Sequence, residues 1–438
     1  MSVAAFVLAV PASAGAEASP VPQTNPRAPK PVVVACGQTI TRDTRLANDL
    51  ANCVGNGLYI GADSITLDLN GHTIDGDEVG FDSCDTVTDC DAGVDNRAGH
   101  PGVTVMGGSI TEFVDGVSMH RAPRSIVHDV STTHLAHANT FLDQSNGVLV
   151  RHNRSVDDGG LVDIVESSNV RVDANYVSGS EFAGIGLFGS DHVQVTGNSV
   201  FDSGISAIAV LENSDHNRIA GNSITRGADG VYIAEAGDHN VVSGNTLTRT
   251  QFQSIFLDIG SAHNTVAANS LTGNGDGIIV ASDDNKIADN DLARIRGVDG
   301  DPVSGVGVFV DIGADRNLIA GNAIANTAAY GIRVTSTDEA LGTPQDNVVR
   351  GNRVQRATLD GYRIDETAAG TLLDANAANA NGADGINVLS ATTRLTANIA
   401  NRNGALGIEA VPGVTDGGGN RAMGNGNPLQ CTNVLCRP

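Results

Sequence analysis

The chain has 438 residues with no tryptophan, 3% aromatic residues and 53 glycines, which excludes a broad core packed with rings. Its net charge is −24 and lysine occurs only at Lys30 and Lys286, so a nucleic-acid-binding role resting on basic clusters is excluded. Acidic polysaccharide is repelled on average unless local arginines or bound Ca²⁺ reverse the field, whereas neutral or mixed glycans are compatible with this charge.

Met1 to Ala14 carries an apolar run from Val3 to Val10 and then Ala12-Ser-Ala14, a small-x-small cleavage site, so residues 1–18 read as a secretory signal despite a missing basic start. Ser19 to Pro31 holds five prolines, and residues 19–35 read as an extended linker. No other stretch reaches the roughly 18 apolar residues of a membrane span. The expected product is soluble, secreted and extracellular. Six cysteines in such a chain imply disulfides, and local pairing favours Cys36–Cys53, Cys84–Cys90 and Cys431–Cys436. Two of these pairs sit at the ends of the repeat, where open strand edges need protection. Zinc would need tighter cysteine spacing, and no metal site is assigned. The loop from Asp75 to Asp95 carries Asp75, Asp77, Glu78, Asp82, Asp85, Asp89, Asp91 and Asp95. It offers oxygen ligands for calcium, the alternative being a solvated acidic loop. No other cofactor is expected.

From Asn153 onward one phrase recurs every 21 to 24 residues, with two longer intervals: Val195-Thr-Gly-Asn198, Ile219-Ala-Gly-Asn222, Val242-Ser-Gly-Asn245, and on to Val349-Arg-Gly-Asn352. That period predicts an all-β, single-domain right-handed parallel β-helix over residues 36–438, a solenoid with disulfide-tied ends. About 15 coils at about 4.8 Å each give a rod on the order of 70 Å long. The small residue before each Asn suits a tight bend in which Asn takes left-handed dihedrals, and stacked coils align the amides. Inward positions are Val, Ile, Leu and Ala, and bulky rings are not expected to fit.

Side chains alternate in and out along each strand, so the strands Val231-Tyr-Ile233, Ile255-Phe-Leu257, Val308-Phe-Val310, Ile332-Arg-Val334, Tyr362-Arg-Ile364 and Ile386-Asn-Val388 place their central residues in one outward column. Tyr232, Phe256 and Phe309 suit stacking on sugar rings, with Asn387 further along as a polar contact; a subunit contact or a plain surface patch is the alternative. Arg333 and Arg363 suit a carboxylate or sulfate, unless they pair with Asp311 and Asp365. A second column, two residues on, carries Asp258, Asp311 and Asp365. Successive members are two coils apart, about 9.6 Å, near the upper end of an inverting glycosidase pair at roughly 6.5 to 9.5 Å. Tyr330, beside Arg333, is a further proton-transfer candidate. Two insertions, around Arg296 to Gly305 and Thr337 to Gln345, fall on opposite flanks of adjacent strands and are expected to wall a cleft over this face.

His192, His216, His239 and His263 recur in one turn and read as a stacked structural column. His120, His134 and His137 do not follow the repeat, and with Asp129 and Asp143 nearby they are candidates for a metal or a base, ordinary surface histidines being the favoured alternative. Asp115, Asp229, Asp276, Asp360 and Asp384 each precede Gly before a strand, which is turn chemistry.

The opening Cys36-Gly-Gln-Thr-Ile through Cys53, then Ile65-Thr-Leu-Asp-Leu-Asn-Gly-His-Thr-Ile-Asp-Gly76, resembles secreted bacterial members of the right-handed parallel β-helix superfamily, the pectate-lyase-like architecture, with NosD-like repeats. The resemblance covers residues 36–438 and implies a carbohydrate-active protein acting on polysaccharide as hydrolase, lyase or uronate epimerase. Its alternatives are a non-catalytic glycan-binding or surface protein, and a copper-site accessory resting on the irregular histidines. The Asp-Pro-His-Asp motif of mannuronan epimerases is missing: Asp301-Pro302 is followed by Val-Ser. In a hydrolase two of Asp258, Asp311 and Asp365 would be acid and base. In a lyase or epimerase Arg333 or Arg363 would neutralise a uronate while Tyr330 or the other arginine moves the proton.

Overall fold

The structure, a computed structural model, describes residues 29–78, 90–301 and 304–438. The signal segment, most of the linker, Cys84 with its pairing, and Asp82, Asp85 and Asp89 of the candidate calcium loop lie outside the described residues.

Each coil gives one strand to a sixteen-stranded parallel sheet in which successive coils are neighbours. Two shorter strands per coil, such as Gln194–Thr196 and Ser199–Phe201, flank the Asn bend and build two further faces. The result is a right-handed parallel β-helix, the hand that parallel crossovers take. In these three-residue strands the central side chain is fully buried, so Val195, Ile219, Val242, Val266 and Ile287 stack as one inward row. The row repeats along the rod because one apolar residue per strand is all that the narrow core admits.

Two side chains are larger than the composition leads one to expect. Phe113 and Tyr362 are fully buried. Gly76 lies against the ring of Phe113, and Ala378 and Ala400 keep the third face small near Tyr362, whose hydroxyl donates to the carbonyl of Asn352 at 2.8 Å. Small neighbours on adjacent coils make the room.

The Asn phrase works differently from the expectation. The left-handed residue is the one before each Asn: Gly197, Gly221, Gly244, Ala268 and Asp289 have φ of 63°, 65°, 63°, 55° and 55°. The Asn itself turns inward as a ladder. Asn245 donates from its backbone N to Asn269 Oδ1 at 2.9 Å and from Nδ2 to the same atom at 3.0 Å, and Asn269 does the same to Asn290. Each Nδ2 also donates to a carbonyl of the preceding coil, as Asn269 does to Val242 at 2.9 Å. A second ladder, absent from the sequence reading, links Asn217, Asn240, Asn264, Asn285, Asn317 and Asn347. It follows the histidine column, whose ring centroids lie 5.3, 5.0 and 5.0 Å apart, as expected.

At the first coil, Val32 donates to Arg45 O at 2.7 Å and Val34 is buried, so the chain docks before Cys36. Cys36–Cys53 and Cys431–Cys436 close the two ends.

Asn269→Ala strands the Asn245 backbone N–H and the Val242 carbonyl in a dry interior. It is expected to lower stability by about 3 kcal/mol, read as a denaturation midpoint shift, while the exposed neighbour Ser270→Ala changes little.

Candidate functional site

Strand register fixes the outward column of the large sheet. Ser118, Phe141, Asp163, Gly186, Ala209, Tyr232, Phe256, Ile279, Phe309, Arg333, Arg363 and Asn387 are consecutive partners, so the candidates do share one face. Their side chains are less available than their positions suggest.

Tyr232 and Phe256 are half-buried, with rings 5.5 Å apart and tilted by 36°. The Tyr232 hydroxyl donates to Asp258 Oδ2 at 2.5 Å, and burial together with this bond pushes the phenol pKa up. Phe309 is buried, not exposed: Val306 of the first insertion and Ala329 cover it. Asn387 is also buried, donating to Asp384 Oδ2 at 3.3 Å. Arg333 leans over the rings of Tyr330 and Phe309, 5.3 and 5.6 Å from their centroids.

The three aspartates are committed to the structure around them. Asp311 Oδ1 accepts from the backbone N of Ile312 and Thr337 at 2.8 and 2.7 Å, and its Oδ2 accepts from Thr337 Oγ1 at 2.6 Å. It anchors the second insertion, as a cap does. Asp365 lies between two guanidiniums, with Arg333 Nε at 2.9 Å and Arg363 Nε at 2.6 Å. Burial pushes its pKa up, but the two arginines outweigh burial and hold the carboxyl below its ordinary range. The arginines thus spend their charge on Asp365 rather than on a ligand, and Asp365 is no proton donor. Residues 296–299 of the first insertion line a cavity of about 850 Å³ on the flank with Arg226, Arg249 and Phe252.

Nearer the first coils the same face holds a depression that the repeat pattern did not reveal. A cavity of about 410 Å³ is lined by Asn56, Asp95, Arg97, Ser118, His120, Phe141 and Asp143. Arg97 Nη2 reaches Asp95 Oδ2 at 2.9 Å and Asn56 Oδ1 at 3.0 Å. His120 Nδ1 is hydrogen-bonded to Asp143 Oδ2. Behind Phe141, with ring centroids 5.5 Å apart, His137 bridges three coils: Nδ1 is 2.8 Å from Asp115 Oδ1 and Nε2 is 2.7 Å from Asp163 Oδ2. Burial disfavours its charged form, yet the two carboxylates prevail and push the pKa up to about 11. Of the irregular histidines, then, His120 and His137 take separate carboxylates, and Asp129 pairs instead with His128 at 2.6 Å. The legible signal was the extended strand phase, since Asp95, Ser118, Phe141 and Asp163 fall in register. Asp115 and Asp276 both do more than make a turn: Asp115 meets His137, and Asp276 accepts from the backbone N of Gly305 and Val306 in the next coil.

Fold and site together define a parallel β-helix protein with a polar depression on its sheet face. The chain belongs to the NosD family, described as periplasmic copper-binding protein, whose model matches residues 37–224, 125–296 and 183–340. No curated protein sequence matches it. Solved structures of similar fold include alginate lyase from Paenibacillus sp. str. FPU-7, at 15% identity over 62% of this chain and 92% of that one with a TM-score of 0.41. The tailspike protein of E. coli bacteriophage HK620, in complex with a pentasaccharide, is 13% identical over 91% and 73% with a TM-score of 0.46. DFA-IIIase from Arthrobacter chlorophenolicus A6, without its lid, is 12% identical over 76% and 82% with a TM-score of 0.40. These likenesses concern the fold alone. Among the described residues no helix is long and apolar enough to cross a membrane.

A histidine whose folded pKa lies above its unfolded value of about 6.5 stabilises fully below that value, and the contribution fades as pH rises toward about 11. The melting temperature is therefore expected to fall between pH 7 and 10, and His137→Gln is expected to flatten that slope.

Proposed function

We propose that the protein binds a polysaccharide along the face of the sixteen-stranded sheet, with one sugar unit seated in the cavity at Arg97, His120 and Phe141. The observation that supports this is the composition of that cavity. Phe141, although only 5% exposed, lines the cavity and offers a small apolar patch to the C–H face of a sugar, while the planar groups of Asn56, Asp95, Arg97 and Asp143 offer donors and acceptors in fixed directions. Tyr232 and Phe256 continue the face toward the middle of the rod.

His120 is the residue best suited to move a proton there. Asp143 holds Nδ1 and orients the ring, which leaves Nε2 as the nitrogen for exchange with a ligand. This arrangement favours proton abstraction, as in elimination or epimerisation, over the two-carboxylate hydrolysis read from Asp258, Asp311 and Asp365, because Asp311 and Asp365 are already saturated.

The family's description raises copper handling as a second reading. The donor groups do not suit it: copper favours converging imidazole, thiolate or thioether ligands. The stacked rings of His192, His216 and His239 are within 5° of parallel, so their in-plane lone pairs do not converge. His120 and His137 take separate carboxylates, and the described cysteines are disulfide-bonded. Among the described residues no three of His, Cys, Asp or Glu are grouped to hold a metal.

Calorimetry against a panel of neutral and acidic oligosaccharides, with product mass spectrometry in heavy water, tests the glycan reading. A bound member whose affinity drops about fivefold in Phe141→Leu is expected. His120→Gln is expected to keep binding but lose deuterium uptake. Absence of binding across the panel, or binding indifferent to Phe141→Leu, rejects the proposal.

A further inference from the structure

On the flank of the solenoid, where the third face turns back into the large sheet, one left-handed position recurs in every coil. Backbone hydrogen bonds place Arg249, Gly273, Arg294, Asn326, Arg356, Ala380 and Arg402 at that position in consecutive coils. Arginine therefore returns at every second coil, four times, with an uncharged residue between. The φ values of Arg249, Arg294, Arg356 and Arg402 are 61°, 57°, 56° and 57°. A side chain in this region costs about 1 to 2 kcal/mol that glycine avoids, as Gly273 does in the same column. Turn geometry alone gives no reason for arginine here.

Charge sharpens the point. In a chain of net charge −24, none of these four arginines pairs with a carboxylate among the described residues. All four are exposed. Arg226, one coil earlier, differs: Asp202 holds it in a bidentate pair at 2.8 and 2.7 Å. The column borders two cavities. The flank cavity of about 850 Å³ takes in Arg249, and another of about 280 Å³ takes in Arg294 and Arg356, with Arg296 shared between them.

We propose that this column binds a linear anionic polysaccharide lying along the rod, its acidic groups meeting alternate coils. Two coils span about 9.6 Å, so the four arginines cover about 29 Å. That interval suits an extended chain bearing one carboxylate or sulfate per disaccharide, each gripped by a guanidinium. Nucleic acid fits less well. Its charges are far denser, at one per roughly 3.4 Å of each strand, and among the described residues Phe252 is the sole aromatic residue lining either cavity for a base to stack on. The column is on a different side from the His120 cavity, and the inference stands independently of it.

Hyaluronate oligosaccharides, with one carboxylate per disaccharide, are the probe, set against neutral dextran oligosaccharides and oligo-dT. Calorimetry at low salt is expected to detect hyaluronate binding that weakens as salt is added and that drops about tenfold in each of Arg294→Gln and Arg356→Gln. The variants' melting temperatures report that the fold is kept, and His120→Gln is expected to leave this affinity unchanged. Binding that survives the double variant Arg294→Gln/Arg356→Gln, equal binding of dextran, tighter binding of oligo-dT, or no hyaluronate binding at all overturns the proposal.

Discussion

Everything in this molecule depends on coils closing their hydrogen bonds onto the coils beside them. Each coil is too thin to bury a core alone, so its apolar residues are dry only because a neighbour covers them above and below. The Asn ladder solves the polar half of that problem. At the bend the backbone leaves the strand ladder, and an orphaned N–H or carbonyl there would face a water-free interior. Asn supplies an acceptor and a donor on one short side chain, which is why it recurs where Ser or Asp would satisfy fewer groups.

That constraint shapes the surface. Since the ladder fixes strand register, any outward position becomes a column, and columns of like residues form faces without further design. The large sheet carries polar and aromatic groups, and the flank carries arginine at every second coil. Interactions between columns then decide which groups are available. Asp365 draws in Arg333 and Arg363, and Asp311 is consumed in anchoring a loop, so outward direction does not amount to freedom.

The fold was legible because the repeat is a direct image of the stacking. The shared column from Tyr232 to Asn387 was equally legible, since it follows from period and alternation. What the side chains do in that column was not. Phe309 is covered by Val306 from an insertion whose path no periodicity describes, and the His120 cavity lies among coils where the Asn phrase is weak. The left-handed site was misread by one residue, because a bend's sequence identifies its members without saying which of them takes positive φ. The histidine column was read correctly for the opposite reason: its members repeat, and repetition is what sequence displays.

The ladder also has a weakness that follows from its regularity. Between Asn198 and Asn290 each rung is chemically the same as the next, so nothing in the rungs tells a coil which neighbour is its own. A nascent chain that skipped one coil would still close its amides and its valine and isoleucine rows. Fidelity of assembly must therefore come from the parts that do not repeat, such as buried Phe113, the buried Asp158 that accepts hydrogen bonds from Thr132 and Ser155, and the inserted loops. These irregular features act as page numbers in an otherwise uniform stack, and folding that begins from them avoids slipped isomers that the repeat itself would accept.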